Sequence, residues 1–230
     1  MKSNASHLKT FRTALLISAI ASLLSVPAVW AGASVTPDSV TVATVNGAQF
    51  STVDVPVYIR DLSGTPLGLD QPPGSRIQSY SIKVNYAPAS AVQSITFTRA
   101  GITSSLTPTF ENSPSSAGSI SLLDTFNEAT DLIPFTLDGA APGNQVAHLQ
   151  VTLAPTATPG TIITLTIDPT TLTQLTDQAG TPATVENTGN GRLIVVNGSI
   201  TVVPVVPALS HIALMLLAIA LGFVAIRFRS

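Results

Sequence analysis

The chain has 230 residues, with 45% hydrophobic and 10% charged side chains, 10 basic against 12 acidic, and no cysteine. Without cysteine there is neither a disulfide framework nor thiolate chemistry. Without a basic excess there is no electrostatic footprint for nucleic acid, which is excluded as a partner.

At the start of the chain, Lys2, Lys9 and Arg12 precede an apolar stretch from Ala14 to Leu24, and small residues follow around Ala31 and Ala33. Basic, apolar and small-residue segments in that order form a secretory signal peptide, residues 1–33, whose apolar part is expected as a helix. Cleavage after Ala31 or after Ala33 fits, and either removes Trp30, the sole tryptophan. The exported part then holds Arg60, Arg76, Lys83, Arg99 and Arg192 against all 12 acidic residues. Five basic minus twelve acidic side chains gives a formal charge of −7, unsuited to anionic lipid surfaces.

Residues 34–203 read as one domain, since about 170 residues suffice for one sizeable core. Apolar residues recur at every second position in short runs. Val53, Val55, Val57 and Ile59 form one such run, interrupted on its polar face by Pro56, which predicts an edge strand or a break there. Tyr80, Ile82, Val84 and Tyr86 form the next; Ala147, Leu149, Val151 and Leu153 another; Ile163, Leu165 and Ile167 a fourth. Weaker strands are expected at residues 92–98, 119–123, 133–137, 192–196 and 199–203. Asn197-Gly198 between the last two predicts a tight hairpin turn. Residues 62–76, with three Gly and three Pro, are expected to form a surface loop. Many short alternating strands predict an all-β fold, an antiparallel β-sandwich.

The tail, residues 204–230, has three parts: Val206, Pro207, Ala208, Leu209 and Ser210, then an apolar run from Ile212 to Ile226, then Arg227 and Arg229. Ala208 to Ile226 would make roughly 28 Å of helix, close to the bilayer core, so a C-terminal transmembrane helix is expected. The flanking arginines place its end in the cytoplasm and the domain outside. Val206 to Ser210, the span and the basic end resemble bacterial C-terminal sorting tails of the IPTL-CTERM type, related to PEP-CTERM tails. His211 and Ile212 depart from that pattern, standing where an acidic–aromatic pair is common. The resemblance implies recognition and processing near Val206 to Ser210 by a membrane-embedded sorting protease. The chain would be exported through the inner membrane of a bacterium, then membrane-anchored or released to the cell surface or extracellular space.

A second resemblance covers residues 40–203. Residues 40–45, Asn46-Gly47 and the run from Val53 to Val57 look like the opening strands of a cohesin domain. Residues 80–88 look like that family's strand ending in Tyr-Asp-Pro, with Ala87 in place of the Asp. Residues 175–180 and 197–202 look like its closing segments. The resemblance implies a jelly-roll sandwich like those of cohesins and carbohydrate-binding modules. It also implies a non-catalytic, surface-anchored module that captures a secreted, dockerin-type protein in polysaccharide-related assembly. The alternative is an extracellular matrix component that binds exopolysaccharide and is placed by the sorting tail.

The residues themselves support no catalytic assignment. His148, the sole histidine of the exported part, falls on the polar face of its strand, and no Gly-x-Ser-x-Gly elbow accompanies it. One His and no Cys leave zinc and copper without their usual ligands. The carboxylates cluster as Asp124, Glu128 and Asp131 and as Asp168 and Asp177, away from the aromatic residues of a sugar-cleaving site. Asp124, Glu128 and Asp131 are the candidates for holding Ca²⁺, although their spacing matches no EF-hand; otherwise no cofactor is expected. Gly189-Asn-Gly191 has no helix after it to complete a phosphate cradle. Tyr58 is the one tyrosine expected outward, with Tyr80 and Tyr86 turned in, so no aromatic sugar platform is evident.

Overall fold

A computed structural model describes residues 36–170 and 172–205. The signal peptide with Ala31 and Ala33, and the tail with Val206 to Ser210, Arg227 and Arg229, lie outside the described residues. Among the described residues no helix is long and apolar enough to cross a membrane.

The strands in chain order are β1 (Asp38–Val42), β2 (Thr44–Ala48), β3 (Thr52–Arg60), β4 (Ser79–Ala87), β5 (Val92–Arg99), β6 (Pro108–Asn112), β7 (Ser115–Ser116), β8 (Ser119–Phe126), β9 (Asn144–Leu153), β10 (Ile162–Ile167), β11 (Gln174–Thr176), β12 (Glu186–Asn187), β13 (Leu193–Val196) and β14 (Gly198–Val203). Two 3₁₀ turns, Ala89–Ala91 and Gly101–Thr103, are the helical elements among the described residues. A five-stranded sheet runs β13-β1-β3-β9-β5. A nine-stranded sheet runs β12-β11-β4-β10-β14-β2, and β8 lies along the other side of β4 with β6 and β7 beyond it.

Side chains alternate across a pleated strand, so each apolar run of period two gives the core one row. Val55, Val57 and Ile59 on β3 and Leu149 and Val151 on β9 are fully buried and share one core with Ile82, Val84, Leu122 and Ile163 of the other sheet. Burying each such side chain contributes about 1.5–3 kcal/mol. Tyr80 and Phe126 stack in a tilted pair, ring centroids 6.2 Å apart.

Four expectations need correction. The sheets are mixed, because β1 pairs parallel with β13 and β2 pairs parallel with β14. Alternation reports which face a residue takes and is blind to strand direction. Pro56 sits in the central strand β3, between β1 and β9. It is tolerated because β1 ends at Val42, opposite Val57, and the chain leaves the sheet at Ala43, whose N–H donates to Pro56 O. Asn197-Gly198 makes no hairpin, since β13 and β14 lie in different sheets. Neither residue takes the positive φ that a primed turn needs. Asn197 Oδ1 instead accepts from Ile167 N at 2.8 Å, and Gly198 passes so close to Val42 O and Ala43 O that a Cβ would collide. Residues 133–137 form no strand, although Ile133 and Phe135 are buried.

Candidate functional site

Two features of the sandwich bear on function: the outer face of the larger sheet and an acidic cluster beneath one loop.

On the outer face, β4 presents Ser79, Ser81, Lys83 and Asn85, β8 presents Ser119, Ser121, Leu123 and Thr125, and β10 presents Ile162, Thr164 and Thr166. All alternate with buried neighbours. β4 and β8 pair over seven consecutive residues, Ser79↔Thr125 through Asn85↔Ser119, without a register shift. The opposite sheet has shifts in both β3–β9 and β5–β9, and such bulges bend and twist a surface. The β4–β8–β10 face is therefore the more regular platform, lined by hydroxyls. Its one cation, Lys83, is paired with Asp168 at 3.3 Å. Apolar side chains punctuate it: Leu123 is half-buried, and Phe110, opposite Thr125, and Ile162 are 52% and 57% exposed.

Asp61 closes β3's end of the loop at residues 62–76. That loop lies at the surface, with Ser63, Gly64, Asp70 and Pro72 to Gly74 exposed, and is anchored in the fold by Leu67, wholly buried, and Leu62, nearly so. Its backbone amides are taken up by carboxylates. Leu62 N donates to Asp38 Oδ1 (2.7 Å), Ser63 N to Asp138 Oδ1 (2.9 Å), and Gly64 N to Asp70 Oδ2 (2.8 Å). Leu67 N donates to Glu186 Oε1 (3.0 Å) and Leu69 N to Asp61 Oδ2 (3.1 Å). Asp38, Asp61 and Glu186 are completely buried. Burial, and next the charge of Glu186, pushes the carboxyl of Asp38 up to about 10, and burial raises that of Glu186 against the pull of the Leu67 N–H. Asp61 is raised to about 6, first by burial and further by Asp70 and Asp138, against the pull of the Leu69 N–H. The sequence reading missed this cluster. Asp38 shares the strand parity of Val40 and Val42, which marks it as inward; nothing local marks Glu186, 148 residues further on.

The residues singled out from sequence are dispersed. Asp124 points into the core, where Tyr80 Oη donates to its Oδ2 at 2.8 Å. Burial raises its carboxyl to about 6 and also raises the Tyr80 hydroxyl. Glu128 accepts from Gly74 N, and Asp131 accepts from Thr107 N and the Thr130 hydroxyl. These three carboxylates are not brought together around a common point, because parity turns Asp124 inward while the other two sit in the following turn. Asp168 is engaged by Lys83, and Asp177 by Thr181 N and the Thr184 hydroxyl, so they too form no pair. His148 is half-buried on the outer face of the five-stranded sheet, opposite Pro56 and Thr98. Tyr58 lies half-buried on that same face, Tyr80 is buried and Tyr86 partly so. A shallow open groove of about 400 Å³ is lined by Pro73, Arg76, Asn127, Glu128, Ala129 and Gln178.

No protein-family model and no curated protein matches the sequence. Solved structures do match. The third cohesin of ScaC from Acetivibrio cellulolyticus, solved in complex with the ScaB dockerin, superposes with a TM-score of 0.51 at 16% identity, covering 72% of this chain and 99% of that one. The cohesin of the Coh-OlpA–Doc918 complex from Clostridium thermocellum gives 0.50 at 10% identity, covering 73% and 100%. The chain has a cohesin-like fold. The likeness spans the sandwich and nearly the whole of both cohesins.

Proposed function

We propose that this chain is an exported, non-catalytic binding module that captures a secreted, dockerin-type protein on one face of its sandwich. The observation that carries the reading is the fold's likeness to two cohesins, each solved with a dockerin bound. The β4–β8–β10 face suits the role, because a rigid, preformed platform loses little ordering entropy when a small partner docks. Leu123, Phe110 and Ile162 are the apolar anchors and the surrounding hydroxyls supply polar contacts. Export and anchoring belong to the same proposal. They rest on the signal peptide at residues 1–33 and on the tail, whose processing by a sorting protease rests on Val206 to Ser210 alone.

The groove beside Arg76 and Gln178 favours a second reading, a matrix component that holds exopolysaccharide, since Arg76, Asn127, Glu128 and Gln178 bring hydrogen-bonding groups to its wall. Immobilising the full chain and exposing it to the secreted fraction of its own cells separates the two. Retention of a protein with paired calcium loops, identified by mass spectrometry, is the expected outcome. Retention of polysaccharide alone would replace this reading with the second.

A further inference from the structure

The two ends of the sandwich differ in charge. Residues 49–51, 88–91, 113–118 and 154–161 lie at one end, and the chain leaves the domain there through Pro204 and Val205, after β14. Strand pairing puts these segments together: Thr52 lies opposite Thr152, Ala87 opposite Thr164, Asn85 opposite Ser119 and Val203 opposite Ala48. Hydrogen bonds join them, from Gln49 N to Val203 O at 3.0 Å, from Gly160 N to Val202 O at 2.8 Å and from Ala154 N to Ala91 O at 2.9 Å. None of these segments contains Asp, Glu, Lys, Arg or His. Acidic residues gather in the loops of the opposite end, with Asp61 and Asp70 after β3, Glu128, Asp131 and Asp138 between β8 and β9, and Asp177 after β11. A strongly acidic domain thus keeps one end free of charge, and its tail departs from that end.

At the same end Phe50 is 64% exposed and Val205 52% exposed. Phe50 also takes φ +65°, a left-handed conformation that is costly for a bulky side chain. The turn is held in that shape by Ser51, whose N–H and hydroxyl both donate to Ala48 O and whose carbonyl accepts from Leu153 N. An aromatic ring set in water adds nothing to the core, and Gly would relieve the strain. We propose that this uncharged end docks on a zwitterionic lipid bilayer, with the Phe50 ring seated among the headgroups. The proposal rests on the reading of the tail as a membrane span. That span begins at Ala208, three residues beyond Val205, and three extended residues reach at most about 10 Å. The headgroup layer is itself roughly 5–7 Å deep on each side of the bilayer. The end of β14, and the turn bonded to it, are therefore held within or just above the headgroups. A charge brought there would lose hydration, whereas small, hydroxyl and apolar side chains lose little. An exposed Phe suits that layer, and with no basic residue at this end anionic lipid is not required.

The test uses the full chain carrying Trp30→Phe, reconstituted into phosphatidylcholine vesicles whose acyl chains are brominated near the headgroup and so quench tryptophan emission. Phe50→Trp puts a single tryptophan at the docked end. Ala183→Trp, at an exposed position in the loop between β11 and β12, puts it at the opposite end. Flotation shows whether each variant is held by the membrane. Both variants should float. Emission should fall about twofold or more for Phe50→Trp, because interfacial side chains reach roughly 5–10 Å into the headgroup–acyl boundary, and should be unchanged for Ala183→Trp. If Phe50→Trp does not fold, Ser90→Trp at the same end is read in its place. Variants that float and are quenched alike, or a Phe50→Trp variant that floats unquenched, would overturn the docking and leave the anchor standing. Variants that do not float would overturn the anchor and the docking together.

Discussion

Asp124 shows what strand parity does to a carboxyl group. It falls in step with Ile120, Leu122 and Phe126, so β8 carries it into the core, where Tyr80 is its donor. Its carboxyl, raised from 3.8 to about 6, holds a proton more readily in the folded chain than in the unfolded one. The stability this contributes is full below pH ~4 and is lost as pH rises through about 6. Asp124→Asn keeps an acceptor for Tyr80 and removes the titration. The unaltered chain should therefore lose roughly 1–3 kcal/mol relative to the variant between pH 4 and 7, read by urea unfolding at each pH. Equal slopes for the two proteins would refute the assignment. Parity was legible in the sequence for Asp124 as it was for Asp38, but the partners of both come from distant segments. Tyr80 lies 44 residues before Asp124, and Glu186 meets Asp38 only because the fold closes on itself.

At the scale of elements, the apolar rows of β3, β4, β9 and β10 were readable because burial follows a period of two, and all four lie where the alternation put them. Pro56 and Asn197-Gly198 misled for a shared reason. Their meaning depends on the ends of other strands, and both meet the crossing of the chain at Ala43 between β1 and β2. Gly198 is needed there for space rather than for a turn conformation. Its added Cβ would press on the backbone carbonyls of Ala43 and Val42, the latter at 2.6 Å. Gly198→Ala is expected to destabilise by about 1–3 kcal/mol. Gly189→Ala, whose Cβ would meet only the Asn187 side chain at 3.2 Å, should cost less. Matched urea midpoints for the two variants would show that the crossing is not tightly packed. The loop at residues 62–76 was legible as a loop, but its anchoring was not. Its Gly and Pro content speaks of turns, whereas that anchoring is set by the carboxylates that take its amides.

For the whole molecule, the crossings at Ala43 and at Asn197 carry the first and last strands from one sheet to the other. They run side by side and parallel in both, β1 with β13 and β2 with β14. This closure ties the two ends of the domain together and leaves the β4–β8–β10 face open. That Ser and Thr would alternate along these strands was legible in the sequence; that β4 lies between β8 and β10 was not, since neighbours in a sheet are set by long-range pairing. The central claim is that this face captures a secreted protein. The most direct measurement compares capture from the secreted fraction by the unaltered full chain, by Leu123→Arg on this face, and by Gln150→Arg on the opposite sheet. The expected result is a defined protein retained by the unaltered chain and by Gln150→Arg, with at least about tenfold less on Leu123→Arg. Equal retention by all three, or none by the unaltered chain, would contradict the claim.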